Sequence, residues 1–136
     1  MIIKEFISQT NKNQMISILL KHYKVGTVKV KHKSMKNHAH YNVDTGTLEL
    51  STRYKTIKNR QIKEFLITIL HEIYHAMDAK KYGWKKFKDM YEMEMNLQIA
   101  KGKDEYKDNK YEIAAEKFGQ GIYKVWQRKF KKEGLI

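Results

Sequence analysis

A chain of 136 residues with 41% apolar and 12% aromatic content is long enough to bury one substantial core and too short for two, so one domain over residues 1–136 is expected and disorder is excluded. No cysteine is present, which rules out a disulfide framework and any thiolate metal site and leaves histidine and carboxylate as ligands. The net charge of +13 favours encounter with polyanions, nucleic acid among them, although lysine-rich solvated faces explain it equally well.

The amino terminus, Met1-Ile2-Ile3-Lys4-Glu5-Phe6, lacks the long apolar region of a secretory signal. No apolar stretch approaches the roughly 18 residues that a membrane span needs, so no membrane association and a cytoplasmic location are expected. Residues 12 to 24 carry Met15, Ile18, Leu19 and Tyr23 at helical spacing, with Ile16 and Leu20 beside them, and Gly26 ends the pattern. Alternation begins at Thr27 with Val28 and Val30; Tyr41, Val43, Leu48 and Leu50 then flank the turn-like Asp44-Thr45-Gly46. Three strands are expected, the last two as a hairpin.

After Ser51 the period changes to 3.6, with Ile62, Phe65, Leu66, Ile69, Leu70, Ile73 and Met77 on one stripe that Gly83 closes. A third helix is expected over 84–100, a polar loop around Gly102-Lys103-Asp104-Glu105, and a fourth helix over 108–132. Strands early and helices late predict an α+β domain, with helices on one face of a small, mostly antiparallel sheet.

The second helix reads His71-Glu72-Ile73-Tyr74-His75. Its two histidines, one turn apart, project from one side and can meet one metal ion, while Glu72 stands where a carboxylate accepts a proton from an activated water. Helical-wheel arithmetic puts both histidines opposite the apolar stripe, facing a cleft. A catalytic zinc site takes three protein ligands, and no histidine follows His75, so a carboxylate is required. Asp78, Glu92, Glu94, Asp104, Glu105, Asp108, Glu112 and Glu116 are the candidates downstream; Glu112 and Glu116 lie on the fourth helix, which holds a ligand more rigidly than the loop before it.

His71-Glu72-xx-His75 followed by Glu112-Ile113-Ala114-Ala115-Glu116-Lys117-Phe118-Gly119 resembles the gluzincin arrangement, and in particular the small ImmA/IrrE-type peptidases, whose later helix reads approximately ExxANxFA. The resemblance covers roughly residues 60 to 120. It implies a zincin-like fold, a zinc cofactor, Glu112 as third ligand, Ala115 and Phe118 as packing positions, and Glu116 in place of the usual Asn as support for a ligand. A weaker resemblance is to SprT-like proteases, through His75-Ala76 and the later Gly83 and Phe87, but Tyr82 stands where that family has its third zinc-binding histidine.

These residues together predict a zinc-dependent metallopeptidase, of endopeptidase type, acting on a protein or peptide with Glu72 as general base. The resemblance further implies a DNA-bound regulatory protein as substrate and, with the compact lysine-rich chain, a phage or mobile-element origin. Tyr74, Tyr82, Tyr91 and Tyr111 are candidates to stabilise the oxyanion. Thr47 to Thr52 is the strand expected to border the cleft and pair with substrate. His38 and His40 would share a face on an extended segment and form a second candidate metal pair, and Gly119 and Gly121 could permit close packing on the second helix. The alternatives are a structural zinc protein without turnover, or a basic nucleic-acid-binding module built on Lys124, Arg128, Lys129, Lys131 and Lys132, with Trp126 and Phe130 at core spacing between them.

Overall fold

A computed structural model describes residues 6–26, 28–42 and 44–136; Thr27, Val43 and the first five residues, which the readings above invoke, lie outside the described residues. Ser8 accepts from the Asn11 amide at 3.1 Å and so starts α1 (Gln9–His22), whose Met15, Ile16 and Leu19 are buried. Three strands follow, β2 (Lys29–Lys33), β3 (Ala39–Asn42) and β4 (Thr47–Ser51). The hairpin between β3 and β4 closes as expected: the Asn42 side chain accepts from Asp44 and Thr45 amides, and Gly46 takes the left-handed conformation that the turn demands.

The sheet order is β2-β4-β3, with β2 parallel and β3 antiparallel to β4. The sheet is therefore mixed, because the chain crosses over between β2 and β4. A second, two-stranded sheet pairs β1 (Phe6–Ile7) with β5 (Ile57–Lys58). Lys12 is buried although charged; its amine donates to the carbonyls of Tyr54 and Lys55 at 3.1 and 3.3 Å and lies 3.1 Å from His32 Nε2, tying α1 to the sheet.

Three helices complete the chain: α2 (Ile62–Tyr82), α3 (Trp84–Ala100) and α4 (Lys110–Lys132). The break between α2 and α3 is at Gly83, with φ of 84°. Phe65, Leu66, Ile69, Leu70 and Ile73 of α2 join Leu48 and Leu50 of β4, Met15 and Leu19 of α1, and Trp126 and Phe130 of α4 in the core. The architecture is α+β. Among the described residues no helix is long and apolar enough to cross a membrane.

The face of α2 opposite its apolar stripe is not open. It is covered by α4, α3 and β3, so His71, Glu72 and His75 are all buried. The wheel places the histidines away from the stripe but is blind to a second layer of helices on that side. The approach of α4 to α2 centres on Gly119, where an added Cβ would lie 2.8 Å from the Ile67 carbonyl oxygen. Gly121 has nothing within 4 Å of such a Cβ. Gly119→Ala is therefore expected to destabilise the fold by about 1–3 kcal/mol through overpacking, whereas Gly121→Ala leaves stability unchanged or raises it by up to about 1 kcal/mol. Denaturant unfolding of the two variants checks the pair; equal stability would contradict the close helix approach.

Candidate metal centre

His71 and His75 leave α2 one turn apart and meet Glu112, which projects from the first turn of α4. Asn109 caps that helix by accepting from the Tyr111 amide at 2.9 Å, and the positive end of the helix suits a carboxylate there. Glu112 Oε1 lies 2.8 Å from His71 Nε2 and 2.7 Å from His75 Nε2. All three side chains are buried, and their three ligand atoms lie within 4.8 Å of one another. This group could hold a metal ion.

Burial works against ionisation of Glu112, but the hydrogen bonds from His71 and His75, the imidazole charge and a bond from Tyr91 outweigh it and hold its carboxyl below the ordinary range. Tyr91 donates its hydroxyl to Glu112 Oε2, which leaves Oε1 as the oxygen facing the histidines. His71 has carboxylates at both ring nitrogens, Glu112 at Nε2 and Glu116 Oε2 at 3.2 Å from Nδ1. A neutral imidazole has one N–H to give, so two acceptors call for either an imidazolium or a cation on one nitrogen. Burial opposes the charged ring, yet Glu112, Glu72 and Glu116 raise its pKa overall. A metal on Nε2 would let the ring stay neutral, with its Nδ1–H donated to Glu116, once Glu112 Oε1 draws back from its 2.8 Å contact to the wider spacing of two ligands on one ion. His75 Nδ1 is buried without a hydrogen-bond partner among the described residues.

Glu72 is buried beside the cluster, with Oε1 3.9 Å from His71 Nε2. Burial raises its pKa above the ordinary value, against the pull of His75 and His71. It lines two cavities that meet at the cluster. One, of about 470 Å³, is polar, with His38, Glu64, Thr68 and Glu116 in its wall. The other, of about 330 Å³, is more apolar, with Tyr41, Phe87, Tyr91 and Met95.

No family model, curated protein or solved structure matches this chain. Identification of the site therefore rests on its geometry, and the structure gives the remaining carboxylates other positions. Glu94 accepts from Gln98 Nε2 and from the Lys110 amide at the start of α4. Asp104 accepts from the Tyr106 and Lys107 amides, and Asp108 from the Asp104 amide. Glu92 and Glu105 are exposed, and Asp78, half-buried, belongs to no such cluster among the described residues.

Two expectations are corrected. Thr47 to Thr52 cannot offer a free edge, because β4 is the central strand and is paired on both sides; β3 is the strand at the cleft. His38 and His40 do not share a strand face, since His38 precedes β3 and lies 3.1 Å from both Arg53 Nη1 and Tyr54 Oη. Trp126 and Phe130 are buried, so the basic end of α4 has no aromatic face from them for base stacking.

Sequence reasoning passed over Tyr106, which lines both cavities although it sits in a loop without apolar rhythm. The legible signal was the run Asp104, Asp108 and Asn109, residue types that build local turns and helix caps. Substitution at the cluster should be graded when the chain is titrated with a divalent metal: Glu112→Ala is expected to abolish tight metal binding, whereas Tyr91→Phe and Glu116→Ala each weaken it by about 10- to 100-fold. Calorimetric titration of the three folded variants is the check. A Glu116→Ala loss equal to that of Glu112→Ala would contradict the geometry.

Proposed function

We propose that this chain is a zinc-dependent metallopeptidase, a small zincin-like enzyme of the gluzincin, ImmA/IrrE-like kind. The convergence of His71 Nε2, His75 Nε2 and Glu112 Oε1, with the Glu72 carboxylate beside them, carries this reading. Two imidazoles and a carboxylate form a donor set suited to zinc, and three protein ligands leave a position for water or substrate. The α+β architecture, with the histidine helix lying under an edge strand, is consistent with a zincin-like fold.

Held by His71, His75 and Glu112, zinc would supply Lewis acidity to a scissile carbonyl and to a water. Glu72 takes the proton from the attacking water and delivers it to the departing amine; its buried position and raised pKa suit a group that must both accept and release a proton. Glu116 holds His71 by its Nδ1, and Tyr91 holds Glu112 by Oε2, so both ligands are fixed from behind. The free edge of β3 lets an extended peptide pair with Ala39 to Tyr41 and lie across the two cavities.

The substrate is a protein or peptide met in a cytoplasmic setting, and the net charge of +13 favours one bound to nucleic acid. Such a regulatory substrate would suit a phage or mobile-element product. Glu72→Gln is expected to keep one equivalent of zinc while cleavage of fluorescein-labelled casein falls by at least about 100-fold. Retention of full turnover in that variant would remove Glu72 from the reaction, and a wild-type protein that takes up no zinc would remove the reading itself.

A further inference from the structure

Three cavities border the cluster of His71, His75 and Glu112, and among the described residues Tyr106 alone lines all three. It stands where the polar cavity, the aromatic cavity and a shallow third one join, with 44% of its surface exposed. A side chain at that junction touches whatever crosses from one cavity to the other past Glu72.

Its backbone is fixed at both ends. The Tyr106 amide donates to Asp104 Oδ1 at 2.8 Å, and its carbonyl accepts from the Asn109 amide at 3.2 Å. Asp104 also accepts from Lys107, while Asp108 accepts from Asp104, so the turn closes on itself before Asn109 caps α4. The loop backbone is thus ordered without substrate, and its phenol lies close enough to Glu112 to interact with that carboxylate.

The hydroxyls of Tyr106 and Tyr91 both reach the Glu112 carboxylate, whereas the other tyrosines near the histidine motif have other partners. Tyr91 gives its hydroxyl proton to Glu112. Tyr74 lies against Phe118 with ring centroids 5.2 Å apart, Tyr111 against Phe87 at 5.6 Å, and Tyr82 is 5.1 Å from the Lys81 ammonium. None of Tyr74, Tyr82 and Tyr111 lines the three cavities.

We propose, on the hydrolytic reading given above, that the Tyr106 hydroxyl donates a hydrogen bond to the tetrahedral oxyanion. Water oxygen adds to the carbonyl carbon, the carbonyl π electrons move onto oxygen, and the water proton passes to Glu72. Tyr106 keeps its own proton throughout, a phenol being neutral at ordinary pH, and its hydroxyl turns from the Glu112 carboxylate to the oxyanion as charge grows on that oxygen. Collapse breaks the C–N bond, and Glu72 returns the proton to the amine. Asp104 is a positioning residue for this donor.

The test uses the zinc-loaded full chain and two end-blocked probes built on phenylalanine. One is a phosphinic dipeptide, which presents a tetrahedral anionic oxygen; the other is a mercaptoacetyl amide, which presents a thiolate and no such oxygen. In Tyr106→Phe we expect one equivalent of zinc retained, phosphinic affinity reduced by about 10- to 100-fold and thiol affinity changed by less than about threefold. In Asp104→Ala, which keeps the phenol and frees its loop, the phosphinic probe should weaken by a smaller factor. Equal phosphinic affinity in wild type and Tyr106→Phe would overturn the proposal, as would an equal loss on both probes. Those results leave the hydrolytic reading standing, whereas a wild-type chain that takes up zinc and binds neither probe sinks both.

Discussion

The sharing of one carboxylate oxygen between two buried imidazoles depends on how closely α4 approaches α2. At Gly119 the two helices come so near that a single methyl group would collide with the Ile67 carbonyl. Two turns earlier on α4, that approach sets Glu112 directly against His71 and His75. The core does the holding: Trp126 and Phe130, further along the same helix, are buried with α1 and α2 residues that lie outside the cluster. Packing at one end of α4 thus fixes a charge at the other.

Three ionisable side chains buried in one place is an arrangement that packing alone disfavours. Here each member offsets another: the histidines hold Glu112 ionised, Glu112 and Glu116 raise the pKa of His71, and Tyr91 occupies the remaining oxygen of Glu112. Glu72, buried with them, has its pKa raised. A divalent cation would replace this mutual compensation with direct ligation, which is why a local conflict with burial points toward function. The surrounding chain carries a large positive charge, so the acidic cluster is a local exception to the general surface.

How much of this was legible in the sequence follows from the range of each signal. The α3 range matches because Gly83 marks the break before it and a polar stretch follows Ala100, both local features. The hairpin was legible from Asp44-Thr45-Gly46, again local. The pairing of β1 with β5 was not, since a two-residue strand has no periodicity and its partner lies some fifty residues away. Nor was the burial of Lys12, whose acceptors are mostly main-chain carbonyls that carry no side-chain signature. The histidine spacing and the acidic pair Glu112 and Glu116 stood out as residue types at helical intervals, whereas the crossover that makes β4 central is a property of topology. Tyr106 falls between these cases: its turn is local, but the cavities it joins are built by four other segments, the β3 region, α2, α3 and α4.

The central claim is that one metal ion is held by two nitrogens of α2 and one oxygen of α4. Anomalous diffraction at the zinc edge, from crystals of the wild-type chain grown with zinc, tests it most directly. A single strong peak within about 2.3 Å of His71 Nε2, His75 Nε2 and Glu112 Oε1, with Glu72 alongside but uncoordinated, is the predicted result. A peak at other side chains, or none between these three, would contradict it.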